Sequence, residues 1–213
     1  QHRQRTNRPR VKRGESGNRR RGRRAPGQAT RASGPTDKAG QLDVLIAPVA
    51  PADVESVIAL ARLVWQQTYP GIITQEQIDF MLEQRYSRQR LLEELTMPQV
   101  WWDQASVDGQ LAGFSSCMVT GGGEMKLDKL YVDPARQRSG IGARLIDQVV
   151  SHARTVGCPT LILAVNKRNE RAIAAYGKQG FAIRESVCVD IGNGFLMDDF
   201  IMAKSLLAQA APS

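Results

Sequence analysis

The residues best suited to chemistry run Leu130-Tyr131-Val132-Asp133-Pro134-Ala135-Arg136-Gln137-Arg138-Ser139-Gly140-Ile141-Gly142-Ala143. A strand ends at Asp133-Pro134 and a glycine-containing turn follows. A helix then continues through Leu145, Ile146, Val149, Val150 and Ala153. Gly140 and Gly142 remove side chains where a backbone must approach a ligand closely. The unpaired N–H groups and dipole of a helix start favour an anion, and Arg136 and Arg138 add positive charge. This pattern suits a pyrophosphate seat, and it also suits an ordinary tight strand-to-helix turn. It is not a Walker sequence, because no Gly-Lys-Ser/Thr follows. It also lacks the third glycine of a dinucleotide fingerprint, and its flanking strands read as antiparallel.

Other chemistries lack their residues. His2 and His152 are the two histidines, which disfavours a His-built zinc site or a Ser–His–Asp triad; His152 reads as a polar position on a helix. Cys117, Cys158 and Cys188 show neither metal-ligand spacing nor a disulfide framework, and read as small hydrophobes in a reducing compartment. No metal is expected. No apolar run approaches the roughly 20 residues of a membrane span, and no secretory apolar segment follows the basic start. The expectation is a soluble, cytoplasmic protein with no membrane partner.

The pattern also predicts the elements that must hold this turn. Val44-Leu45-Ile46 reads as a short strand, and residues 52–67 as a helix with Val54, Val57, Ile58, Ala61, Val64 and Trp65 at helical spacing. Thr74-Gln75-Glu76-Gln77 is a capping box opening a second helix, and a third follows from Ser87. Strands over 100–107 and 111–119 flank the hairpin turn Asp108-Gly109, and a strand over 125–132 follows Gly121-Gly122-Gly123, antiparallel to its predecessor. After the strand–turn–helix unit come a strand over 160–165, a short helix over 169–176, and strands over 182–191 and 195–204 joined at Gly192-Asn193-Gly194. The result is an α/β (α+β) sandwich of about 170 residues.

Gln137-Arg138-Ser139-Gly140-Ile141-Gly142 resembles the Gln/Arg-x-x-Gly-x-Gly/Ala signature of the GCN5-related N-acetyltransferases. The stretch from Asn166 through Asn169, Ala172 and Tyr176 to Gly180-Phe181 resembles that family's second motif, Asn-x-x-Ala-x-x-x-Tyr-x-x-x-Gly-Phe. The resemblance covers residues 43–206, with both motifs in order and in register. It implies a mixed, mostly antiparallel sheet flanked by helices, with the cofactor helix after the central strand. It implies acetyl-coenzyme A as cosubstrate and an amine as acceptor. Main-chain groups of Leu130, Tyr131 and Val132 would pair with the pantetheine arm, and an N–H near Val132 would polarise the thioester carbonyl. The N–H groups of Gln137, Arg138, Ser139, Gly140, Ile141, Gly142 and Ala143 would hold the pyrophosphate. Asn169 would contact the cofactor arm. Arg168, Arg171 and Lys178 would meet the outer phosphate or stand as surface charges.

Tyr176 occupies the family's general-acid position, from which a phenol can protonate the departing thiolate. A carboxylate four residues before the Val of the cofactor strand serves as base in one amine-acetylating branch; here that is Asp128, with Glu124 as runner-up and a solvated strand residue as the alternative for each. By simple alternation Asp128 shares a face with Leu130 and Val132, opposite Leu127 and Tyr131. Residues 65–73, which include Trp65 and Tyr69, and residues 192–200 resemble a bacterial subgroup related to polyamine acetyltransferases. Trp65 and Tyr69 would flank a cationic acceptor or form a core pair, and Asp198 and Asp199 would attract an amine or end a polar strand. Many relatives pair as homodimers.

The charge is uneven. The chain has 213 residues and a net charge of +8. Residues 1–41 hold 13 Lys+Arg and 2 acids, a net +11, while 42–213 hold 16 and 19, a net −3. The Arg-rich segment 1–41 reads as a disordered tail, or as a leader counted from too far upstream of a start near Leu42 or Val44. The acetyltransferase domain spans 42–207 and a short tail 208–213. The rival readings are acetylation of a protein N-terminus or lysine, and nucleic-acid binding through the basic tail.

Overall fold

The computed structural model describes residues 43–207. The expectations for 1–41 and 208–213 lie outside the described residues. Seven strands form one sheet in the order β1-β2-β3-β4-β5-β7-β6. They are β1 (Val44–Pro48), β2 (Val100–Val107), β3 (Gln110–Val119), β4 (Met125–Val132), β5 (Thr160–Asn166), β6 (Ala182–Gly192) and β7 (Phe195–Ser205). Helices α1 (Val54–Thr68), α2 (Gln75–Arg85) and α3 (Arg88–Thr96) precede β2; α4 (Ile141–Thr155) joins β4 to β5, and α5 (Glu170–Lys178) joins β5 to β6. The mixed, mostly antiparallel sheet flanked by helices is the architecture the sequence predicts.

Local rules account for the element ends. Thr74 accepts from the Gln77 N–H at 3.2 Å and Ser87 from the Arg90 N–H at 3.3 Å, so each caps its helix. The capping box is half made: the Gln77 amide donates instead to the Leu196 carbonyl at 2.9 Å, tying α2 to β7. Asp108 and Gly109 both take positive φ, as a tight hairpin turn between right-twisted strands requires.

The amphipathic helices settle on opposite faces. Val54, Val57, Ile58, Ala61, Val64 and Trp65 of α1 are buried with Ile78, Met81, Leu91, Trp102 and Phe114. On the other face Ile141, Leu145, Ile146, Val149 and Ala153 of α4 are buried against Ala105, Ala112, Cys117, Leu127 and Leu161. His152 anchors α4, with Nε2 2.9 Å from the buried Asp103 carboxylate and its ring stacked on Trp101. Cys117 and Cys158 are buried free thiols, as small hydrophobes should be, whereas Cys188 is exposed on β6.

Two irregularities open the sheet. Strands β4 and β5 pair in parallel, which corrects the antiparallel expectation, but only at Met125↔Leu161 and Lys126↔Ile162. From Leu127 onward the outer edge of β4 has no strand partner among the described residues, although β5 continues to pair with β7 as far as Asn166. The second irregularity is a β-bulge: Ser116 faces Lys129 and Cys117 faces Leu127, so Asp128 is the extra residue. The bulge breaks the alternation expected along β4. Leu127 and Leu130 pack on the α4 side, whereas Tyr131 and Lys129 reach the α1–α3 side. Asp128 joins the latter pair rather than Leu130 and Val132, because its carboxylate meets Arg85 of α2 at 2.7 Å.

Candidate active site

The splayed strands bound a cleft of about 460 Å³. Its walls come from the end of α1, the edge of β4, the turn into α4, the end of β5, one side of α5, and Met197 and Asp199 of β7. The sequence-predicted residues Trp65, Tyr69, Asp128, Leu130, Tyr131, Val132, Gln137, Arg138, Gly140, Ile141, Gly142, Ala143, Asn169 and Tyr176 all line it. Ser139 does not; it is exposed, and its hydroxyl donates to the Arg136 carbonyl.

The anion seat is built from backbone. Gly140 sits at the N-cap of α4 with φ +85° and supplies no side-chain cap. The first-turn N–H groups of Ile141, Gly142 and Ala143 therefore keep no intrahelical or capping partner, and the dipole of a 15-residue helix points there. A Cβ at Gly140 would meet nothing within 4 Å, so backbone conformation rather than crowding calls for glycine. Asp133 turns the chain into the loop by accepting from the Ala135 N–H at 2.9 Å. Gln137 braces it, donating to the Val132 carbonyl at 3.3 Å and accepting from Arg171 at 2.6 Å.

The arginines divide by what they touch. Arg138 and Arg171 line the cleft. Arg136 also lines it, but its guanidinium donates to the Val107 carbonyl at 3.3 Å and to Gln110 at 2.8 Å. Arg168 clamps the Gly71 and Ile72 carbonyls at 2.6 and 2.7 Å and belongs to a second cleft, with Leu196 and Asp198. Lys178 is exposed and lines neither. Of the residues expected at an outer phosphate, only Arg171 stands in the cleft. Asn169 caps α5 by accepting from the Ala172 N–H at 3.2 Å, which leaves its amide NH₂ as a donor at the cleft wall.

At the other end of the cleft lie the titratable groups. Tyr176 stands in the last turn of α5, its ring edge-on to Phe181 at 5.7 Å. Burial, with Tyr131 adding to it, pushes its phenol well above the ordinary range, so it is protonated at neutral pH. Trp65 is buried, its ring tilted 34° against that of half-buried Tyr69 with centroids 4.4 Å apart, so the pair is both core and cleft wall.

Asp128 is not the free base expected of it. Its carboxylate pairs with Arg85 at 2.7 Å, Lys129 at 2.8 Å and Lys126 at 3.0 Å. Burial raises its pKa, but Lys129, Arg85 and Lys126 together outweigh that and hold it well below the usual carboxylate range. An anion so stabilised is a weak proton acceptor. Glu124 is bound to Arg184 at 2.8 Å and lies outside the cleft. Asp198 pairs with Lys167, while Asp199 is buried in the cleft wall. The Arg85 pair is hidden in the sequence because Arg85 is 43 residues from Asp128.

The residues present fit a phosphate-bearing thioester: uncapped N–H groups and two arginines for the phosphates, an unpaired strand edge for an amide-rich arm, and a protonated phenol for a leaving thiolate. Among the described residues no group of three His, Cys, Asp or Glu is placed to hold a metal, and no helix is long and apolar enough to cross a membrane. Fold and cleft together define an acyltransferase. The acetyltransferase (GNAT) family matches residues 59–181, more than half of the chain, and the chain belongs to that family of N-acetyltransferases. The chain is 28% identical over 150 residues to a spermidine N(1)-acetyltransferase of Thermoplasma acidophilum, covering 68% of this chain and 90% of that one. It is 27% identical over 155 residues to an N-acetyltransferase of Mycobacterium tuberculosis, covering 73% and 99%. The PaiA N-acetyltransferase of Thermoplasma acidophilum in complex with coenzyme A superposes with a TM-score of 0.68 at 26% identity, covering 77% of this chain and 99% of that one.

Proposed function

We propose that this N-acetyltransferase moves the acetyl group of acetyl-coenzyme A to a primary amine, a small polyamine-like molecule. The observation that carries the reading is one cleft joining the uncapped start of α4, the unpaired edge of β4 and the phenol of Tyr176. Backbone N–H groups from Gln137 to Ala143, with Arg138 and Arg171, bind the pyrophosphate. The free edge from Leu130 to Val132 orients the pantetheine arm, with the N–H near Val132 toward the thioester oxygen. When bound, the cosubstrate supplies an activated acetyl carbonyl and a thiolate leaving group. Tyr176 donates its proton to that sulfur. The aromatic wall of Trp65 and Tyr69 suits an alkylammonium acceptor, and the named spermidine acetyltransferase relative supports a polyamine.

Isothermal titration with acetyl-coenzyme A, followed by a coenzyme A-release assay on spermidine, other alkylamines, aminoglycosides and lysine peptides, tests the reading. The expected result is micromolar binding and turnover of alkylamines. No binding at millimolar ligand overturns the donor; turnover of peptides without any alkylamine overturns the acceptor class.

A further inference from the structure

Two carboxylates line the cleft, Asp128 and Asp199, and Asp199 is the one without an ion pair among the described residues. It lies on β7 opposite Asn166 of β5 and Val187 of β6, is 7% exposed, and lines the cleft beside Met197. Its Oδ1 is buried with no hydrogen-bond partner among the described residues. A carboxylate oxygen buried without a partner is costly, and a ligand that donates to it offsets that cost. We propose that Asp199 receives the ammonium group of the acceptor and takes its proton before attack. This rests on the N-acetyltransferase reading above and assigns the base that reading leaves open.

The neighbouring charges explain why Asp199 and not Asp128 is available. Arg85 of α2 and Lys126 of β4 both bind Asp128 within 3.0 Å, and Lys167 binds Asp198. Each therefore acts on Asp199 only at longer range. Tyr69 at the end of α1 faces the same space as a neutral phenol, and Glu185 of β6 is exposed opposite Ile201, two positions along. Burial first, then Asp198, raises the Asp199 pKa, against the lowering pull of Arg85, Lys167 and Lys126. Two carboxylates in one cleft are thus driven apart: Asp128 stays ionised as the counter-ion of the cations, and Asp199 moves toward the pH at which a base works.

The protons balance. One proton of R–NH₃⁺ passes to Asp199, and the freed lone pair forms the C–N bond at the acetyl carbon. The C–S bond breaks as sulfur takes the proton of Tyr176. The second proton shed by nitrogen restores the phenol through solvent, and Asp199 releases its own to solvent. The products are the N-acetyl amine, coenzyme A thiol and one proton. The ligand class is an alkylammonium with an apolar arm against Trp65 and Tyr69, not a neutral or anionic acceptor.

The test compares the full chain with Asp199→Asn, using the fastest acceptor of the alkylamine panel. At pH 7 kcat/KM for the amine should fall about 100-fold. The residual rate should then climb about tenfold per pH unit, following the free-amine fraction in solution. Coenzyme A affinity by titration should stay within about twofold, and the melting temperature should not fall, because Asn removes a buried charge without a counter-ion. A variant that binds coenzyme A and keeps the parent rate and pH profile overturns the assignment of Asp199 alone. A parent chain that neither binds acetyl-coenzyme A nor acetylates any amine overturns the reading beneath it.

Discussion

Tyr176 and Asp128 show how burial and charge decide what a residue can do. The phenol is half-buried and raised in pKa, so it holds the proton a thiolate needs. No protein hydrogen bond to its hydroxyl is made among the described residues. Tyr176→Phe should therefore leave the melting temperature and coenzyme A affinity unchanged while kcat drops by about 10²-fold under conditions where chemistry limits turnover. An unchanged kcat would remove the acid role. The motif spacing made Tyr176, Asn169 and the 137–143 loop legible, because each depends on residues a few positions apart. The surroundings of Asp128 are not legible, for the opposite reason. Its chemistry is set by Lys129, by Arg85 brought in from α2, by Lys126, and by a bulge that no local pattern announces.

Among the elements, the meeting of β3, β4 and α4 decides whether the cosubstrate edge is straight. Gly113 of β3 lies beneath it. A Cβ there would come within 2.9 Å of the Tyr131 carbonyl oxygen, 3.2 Å of Ile141 and 3.3 Å of Leu145. The backbone contact cannot be relieved by a rotamer change, so β4 or α4 must move. Gly113→Ala should cost about 1–3 kcal/mol in urea unfolding. It should also weaken acetyl-coenzyme A binding, since Tyr131 and the first turn of α4 both belong to the seat. Loss of stability with unaltered affinity would mean that β3 gives way instead. Helix and strand positions were readable from periodicity and turns, including the Asp108-Gly109 hairpin and the helix that follows from Ser87. The divergence of β4 from β5 was not, because it arises from pairing between strands separated by a whole helix. The side-chain half of the Thr74 box failed likewise, since the Gln77 amide found the Leu196 carbonyl across the fold.

For the whole molecule, the net +8 is a poor guide: residues 42–213 are net −3, and the charges that matter inside them are local. Arg85, Lys126 and Lys129 surround Asp128, and Lys129 continues to the buried Glu94 of α3 at 3.1 Å while lying 4.7 Å from the Trp102 ring. This network fastens α2 and α3 to β4, so it links the helical layer to the sheet. Its dependence on pH follows from Asp128. The cations hold the folded-state pKa well below the ordinary aspartate value of 3.8, so folding favours the ionised form. That contribution is fully present above pH ~4, the unfolded aspartate range, and is lost as pH falls from there toward the lower folded value. Asp128→Asn should therefore cost about 3 kcal/mol at pH 7, because buried Lys129 loses one of its two carboxylate partners and Arg85 and Lys126 lose theirs. Below pH ~4 the parent loses stability through this carboxylate and the variant does not, so their urea midpoints should converge. Midpoints that stay parallel from pH 7 down to pH 2 would show that the ion pairs at Asp128 do not hold the helical layer to the sheet.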